Sequence, residues 1–250
     1  MVDPQASAIG RSNAHPSTAW PLPLPAADAA DVWIVDLEDY RETAAGAPLL
    51  PHEGAMMTGS PARARTRIAL RQLLSGYTGL PTPAIALTTG LYGKPEMQDS
   101  SLSFNVSRRG DTALIAVAAQ GRIGVDIERH GPLPELESIS AMLHPEEHAQ
   151  LSRMPRPVGT AAFYRIWTRK EAALKAIGRG TTAGLDDFSV LSDQIPMAVS
   201  ITGGPTRTGA LLLRDLPLGQ GWSGALATER TVISVRLRAF SPADPRGRGL

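Results

Sequence analysis

The sequence predicts an α+β fold made of two similar α+β halves, a pseudo-dimer in which each half is a long helix packed on a small antiparallel sheet. Three observations predict it. A strongly helical segment at 61–77 precedes a series of short β-branched runs between 84 and 129. A second long helical segment, closed by Gly178, again precedes β-like runs that continue to residue 237. Turn chemistry such as "RRGD" and "QG" separates the runs.

Residues 1–30 are rich in Pro, Ala and Ser and contain "WPLPLP", so a disordered or loosely attached leader is expected. "DVWIVDL" (31–37) reads as the first strand. The helix that follows has Ser60 at the N-cap position and Pro61 at its first turn, where the missing N–H costs nothing. Leu70, Leu73, Leu74 and Tyr77 form its apolar face, while Arg63, Arg67 and Arg71 recur every four residues on another. That basic face suits either solvent or a bound anion. The runs "AIALTT", "LSFNVS", "TALIAVAA" and "RIGVDIE" predict an antiparallel meander. After it come a helix start at "HPEEHAQLSRM", the long helix "TAAFYRIWTRKEAALKAIG", and β-like runs at 187–192, 197–201, 209–214, 222–228 and 231–237. The expected domains are a first half at 31–122, a second at 123–240 and a flexible tail at 241–250.

With 250 residues, 42% hydrophobic and 20% charged, the chain has the composition of a globular fold rather than of a disordered one. A formal net charge of +1 argues against nucleic acid as a partner, so anion binding must rest on local clusters. The absence of cysteine excludes disulfides and thiolate metal sites. There is neither a signal-peptide pattern nor a stretch of roughly 18 unbroken apolar residues, and a cytoplasmic protein without a membrane partner is expected.

In "RIGVDIERH" (122–130), strand alternation puts Asp126 and Glu128 on one face and Val125 and Ile127 on the other. Neighbouring carboxylates disfavour each other's ionisation unless a cation or donors compensate them, which a hard ion such as Mg²⁺ does. A solvated strand face is the commoner fate of such a pair. In the long helix, Trp167, Glu171 and Lys175 follow one another at four-residue spacing, with Lys170 beside them. A Glu with a Lys four residues on is also an ordinary helix-stabilising pair. The apolar neighbours Phe163, Ile166, Leu174 and Ile177 nevertheless predict a largely buried helix, and buried charges need partners.

"GVDIE" (124–128) and, about forty residues on, "FYRIWTRKEAALKAIGRG" (163–180) resemble the paired motifs of the 4′-phosphopantetheinyl transferases, in particular the Sfp-like class of two fused pseudo-repeats. "LYGKPEM" (91–97), "SFNVSRRGD" (103–111) and "MLHPEEHAQL" (142–151) resemble further segments of that family. Two departures stand out. Arg108 occupies the place where relatives carry a histidine that touches a coenzyme A phosphate, a role a guanidinium can fill at every pH. "LLPHEGAMMTGS" (49–60) lacks the upstream basic residues of relatives, so the arginine face of the first helix is expected to substitute.

The resemblance implies transfer of the 4′-phosphopantetheine arm of coenzyme A, the substrate, to a serine of an apo acyl or peptidyl carrier protein of fatty acid, polyketide or nonribosomal peptide synthesis. Adenosine 3′,5′-bisphosphate is released. It implies Mg²⁺, with Mn²⁺ as the alternative ion, on Asp126, Glu128 and Glu171. Glu171 and Lys175 would be catalytic, Glu171 as the base. Arg63, Lys94, Ser107, Arg108 and Lys175 would hold coenzyme A, and a monomer is expected. Two other readings stay open at this point: a non-catalytic carrier-binding module of the same fold, and another metal-dependent phosphoryl-transfer enzyme.

Overall fold

A computed structural model describes residues 21–40, 60–90, 93–97, 100–179, 184–201, 210–229, 231–232 and 234–240. The expected tail, most of the leader, the 49–59 segment and the first two residues of "LYGKPEM" lie outside the described residues.

The chain is α+β. Strand β1 (Ala29–Asp36) pairs antiparallel with β5 (Thr112–Ala118), which pairs antiparallel with β4 (Ser103–Arg109). On its other side β1 pairs parallel with β10 (Ser234–Phe240), giving the order β10-β1-β5-β4. Helix α1 (Pro61–Thr78) covers one face of this sheet, burying Leu70, Leu73 and Leu74 among Trp33, Val35, Ile115 and Val117. It ends at Gly79, whose positive φ of 71° lets its backbone N–H donate a hydrogen bond to Ser75 O and close the helix. Ser60 makes no side-chain cap; its carbonyl instead accepts from the amides of Arg63 and Ala64.

The second sheet is antiparallel, in the order β6-β9-β8-β7, from β6 (Ile123–Arg129), β9 (Trp222–Glu229), β8 (Leu211–Asp215) and β7 (Met197–Val199). Short helices α2 (Leu136–Ser140) and α3 (Pro145–Ser152) lead into α4 (Arg156–Ala176), which packs on this sheet. The two sheets meet face to face through Val32 and Ile34 of β1, Leu114 and Ala116 of β5, and Ile123, Val125 and Ile127 of β6. The layers therefore run helix, sheet, sheet, helix, and β6 is enclosed by apolar groups on one face and by α4 on the other. Gly124 makes that approach possible: a Cβ there would stand 2.1 Å from Ala172 O and 2.4 Å from Ala176 N. Among the described residues no helix is long and apolar enough to cross a membrane.

Several expected elements differ. The meander breaks after β5, because β5 already has a strand on each side; β6 turns at Gly121 (φ 85°) and joins the second sheet. In the "AIALTT" run only Leu87–Thr89 is a strand (β2), paired with β3 (Pro95–Met97) as a separate ribbon. Residues 188–192 form no strand, since side chains meet their backbone groups: Arg169 donates to Val190 O and Ser192 O, and Glu147 accepts from Val190 N. Strand 234–240, counted from sequence with the second half, lies in the first sheet beside β1. The leader's described end is not loose either: Leu22 is buried and its amide donates to Gly76 O at 3.0 Å.

Candidate active site

Alternation along β6 sends Gly124, Asp126 and Glu128 toward α4 while Val125 and Ile127 enter the core between the sheets. On α4 the four-residue spacing brings Trp167, Glu171 and Lys175 to the same place. Edge strand β4 of the first sheet supplies the third side. Asp126 Oδ1 is the meeting point: it accepts from Lys175 Nζ at 2.6 Å and from Ser107 Oγ at 2.7 Å. Lys175 Nζ also donates to Ser107 Oγ at 3.1 Å and to Val125 O at 3.3 Å. One side chain from each of β4, β6 and α4 is thus locked together at the seam.

The seam opens into a cleft of about 500 Å³. Its acidic wall holds Asp126, Glu128 and Glu171; its basic residues are Arg63 and Arg67 from α1, Arg108 from β4, and Lys175. Trp167 lines it as well, with Phe163 5.6 Å away between ring centres. Arg108 donates to Gly110 O at 3.3 Å, a local bond that leaves its guanidinium on the cleft wall. Not every expected residue converges here. Arg71 is buried and donates to Ile85 O at 2.6 Å and Thr82 O at 3.3 Å, so it ties the loop after α1 instead of joining the arginine face. Lys94 is not among the cleft-lining residues; its ammonium donates to Ile123 O at 3.2 Å, and burial lowers its pKa against the opposing pull of Glu96.

Burial pushes the Glu171 carboxyl up to about 8; Asp126 and Glu128 add to the rise and Lys175 opposes it. Glu128 is raised too, mainly by burial and then by Asp126, with Arg109 and Lys175 pulling it back. Among the described residues, two buried oxygens, Asp126 Oδ2 and Glu171 Oε1, have no hydrogen-bond partner. Buried polar atoms are nearly always satisfied, so these two are atoms that could accept a cation or a donor from a ligand. Among the described residues no three His, Cys, Asp or Glu side chains form a ready-made cluster around an ion. The donor set instead suits an ion such as Mg²⁺, which takes one or two carboxylates and completes its shell with phosphate oxygens and water.

Three residues that hold the site or its surroundings were not singled out from sequence. Arg109 Nε meets Glu128 Oε2 at 3.1 Å, and Asn105 Oδ1 accepts from Val125 N at 2.9 Å. The period of two that puts Asn105, Ser107 and Arg109 on one face of β4 was the available signal. Glu147 is the third. It pairs with Lys170 at 2.9 Å, both side chains being 0% exposed, and Lys170 also donates to Leu185 O at 2.6 Å and to Phe188 O. Burial lowers the Lys170 pKa while Glu147 raises it. Lys170 therefore anchors the segment after α4 and stands apart from the cleft.

Residues 122–215 match the model of the 4′-phosphopantetheinyl transferase superfamily. Over 126 residues the chain is 37% identical to the 4′-phosphopantetheinyl transferase HetI of Nostoc sp., covering 48% of this chain and 53% of that one. Over 124 residues it is 32% identical to the 4′-phosphopantetheinyl transferase Sfp of Bacillus subtilis, covering 49% and 54%. The chain thus spans about half the length of HetI and Sfp. Over 138 residues it is 35% identical to the 4′-phosphopantetheinyl transferase AcpT of Escherichia coli O157:H7, covering 54% of this chain and 69% of AcpT. With that identity carried across more than two thirds of AcpT, and with the acids and lysine of the two motifs gathered at one seam, the chain belongs to the 4′-phosphopantetheinyl transferase superfamily.

Proposed function

We propose that the protein transfers the 4′-phosphopantetheine arm of coenzyme A to the serine of an apo acyl or peptidyl carrier protein, giving the holo carrier and adenosine 3′,5′-bisphosphate. One observation carries the reading: two buried carboxylate oxygens without a partner among the described residues, on Asp126 and Glu171, border a cleft whose other walls bear Arg63, Arg67, Arg108 and Lys175. Acid oxygens without a protein partner beside basic side chains suit a metal-bound pyrophosphate. A simple solvated face would show neither the burial nor the missing partners.

In the reaction a bond forms between the carrier serine Oγ and the β-phosphorus while the bond from that phosphorus to the bridging oxygen breaks. The electron pair leaves with adenosine 3′,5′-bisphosphate. Glu171 receives the hydroxyl proton, directly or through water, because its place in the cleft puts it beside both the metal and the attacking serine. Lys175, already between Asp126 and Ser107, places a fixed positive charge where phosphate charge grows. Ser107 holds Asp126 through a hydrogen bond, and Arg108 and Arg63 orient the nucleotide end as phosphate ligands. Mg²⁺, held by Asp126 and Glu171 with Glu128 beside them, would neutralise pyrophosphate oxygens when bound.

The test is to incubate the protein with Mg²⁺, coenzyme A and an apo carrier protein and to weigh the carrier. A gain equal to one phosphopantetheine, lost without Mg²⁺, is expected. A carrier that is bound but not modified would mean a docking module, and hydrolysis of coenzyme A without transfer would mean another phosphoryl-transfer enzyme.

A further inference from the structure

Strand β6 is the outer strand of its sheet, so alternate residues direct an amide and a carbonyl away from β9. Such an edge is usually left to water or to another strand. Here three side chains close it. Asn105 Oδ1 accepts from Val125 N at 2.9 Å, Lys175 Nζ donates to Val125 O at 3.3 Å, and Lys94 Nζ donates to Ile123 O at 3.2 Å.

We infer that Asn105 is a positioning residue: reaching from the first sheet, it pins Val125 and so holds the next residue, Asp126, in register with Ser107 and Lys175. The inference rests on the transfer reaction proposed above and names a residue that reaction needs but does not touch. Asn105 and Ser107 share a face of β4, and they grip consecutive residues of β6, one at the backbone amide and one at the carboxylate. Two such points, unlike one, prevent β6 from sliding along β4. Asparagine is a poor strand residue, yet Asn105 sits mid-strand and 3% exposed, so its place in the sheet calls for a specific bond rather than for packing. Substituting it leaves the Val125 amide without its acceptor and frees the Asp126 carboxylate to shift in the cleft.

The experiment uses the full chain, wild type beside Asn105→Val, which keeps a strand-forming shape but lacks the acceptor, and Asn105→Asp, which keeps the acceptor. Measured are single-turnover transfer, carrier KM, Mg²⁺ binding by titration without carrier, and thermal stability. Loss of an outer-shell partner of a metal-binding carboxylate typically costs about 10- to 100-fold in metal affinity or activity. Asn105→Val should therefore lose about 10- to 100-fold in transfer and weaken Mg²⁺ binding, with carrier KM changed by less than about twofold, and Asn105→Asp should recover most of both. If Asn105→Val melts earlier but transfers and binds Mg²⁺ as wild type does well below its melting temperature, Asn105 is structural and the inference fails. It fails equally if Asn105→Asp is as impaired as Asn105→Val. Should Asn105→Val not fold, hydrogen exchange at the Val125 amide of wild type decides: slow exchange supports the clasp and fast exchange overturns it. A wild type that transfers nothing sinks the proposed reaction, while Mg²⁺ binding and amide exchange still decide the role of Asn105.

Discussion

Replacing Glu171 with Gln removes a charge that the folded chain holds at a disadvantage, and the size of the effect follows from the site. Burial and the two neighbouring acids lift this carboxyl from 4.5 to about 8, and the residue is only 3% exposed. A folded-state pKa above the unfolded one means that the native state binds the proton more tightly. Stability is then highest below the unfolded value and falls as pH rises through the folded one. At 1.36 kcal/mol per unit, the full difference would be worth about 5 kcal/mol. Water reaching the cleft relaxes part of this, so a loss of about 2 to 4 kcal/mol is expected between about pH 5 and pH 9. Gln cannot ionise and escapes that loss. Denaturant unfolding in metal-free buffer should show the two proteins within about 1 kcal/mol of each other near pH 5, and Glu171→Gln more stable by about 2 to 4 kcal/mol near pH 9. Titrating groups remote from the site are common to both proteins and cancel in the difference, and what is left is the titration of Glu171 together with its coupled neighbours Asp126, Glu128 and Lys175. Mg²⁺ should restore wild type at high pH and affect the variant less. A difference that does not change with pH would refute the claim that Glu171 is buried as a strained acid.

Three other outcomes are expected. Gly124→Ala drives a methyl into the α4 backbone at Ala172 and Ala176, so calorimetry should show a loss at or above the usual 1–3 kcal/mol for overpacking. Either Lys170→Met or Glu147→Gln strands a buried partner and should cost about 3 to 5 kcal/mol in denaturant unfolding, whereas Lys170→Met combined with Glu147→Leu should cost less than the sum. Arg108→Ala should weaken coenzyme A binding in titration calorimetry by about 1.5 to 3 kcal/mol, and equal losses with dephospho-coenzyme A would show that its phosphate partner is not the 3′ one.

Most of the local order was legible in the residues. Pro61 opens α1, Gly178 stands just past α4, and the two periods alone put Asp126 with Glu128 and Glu171 with Lys175. Those signals lie within a turn or a strand, so backbone geometry determines them wherever the element sits. The chain's α+β class follows from the same signals. Tertiary structure decided what those elements meet. β6 left its predicted neighbours because both edges of β5 were taken, and β10 returned to β1, where Arg236 meets the buried Asp31 from 205 residues away. Arg71 turned inward to serve two loop carbonyls while Arg63 and Arg67, on the same helical face, line the cleft. Arg109 and Asn105 found β6 only because β4 lies across its open edge. Sequence spacing settles which side chains share a face, but which face is buried, and against what, is a competition for partners across the whole chain that no local window contains.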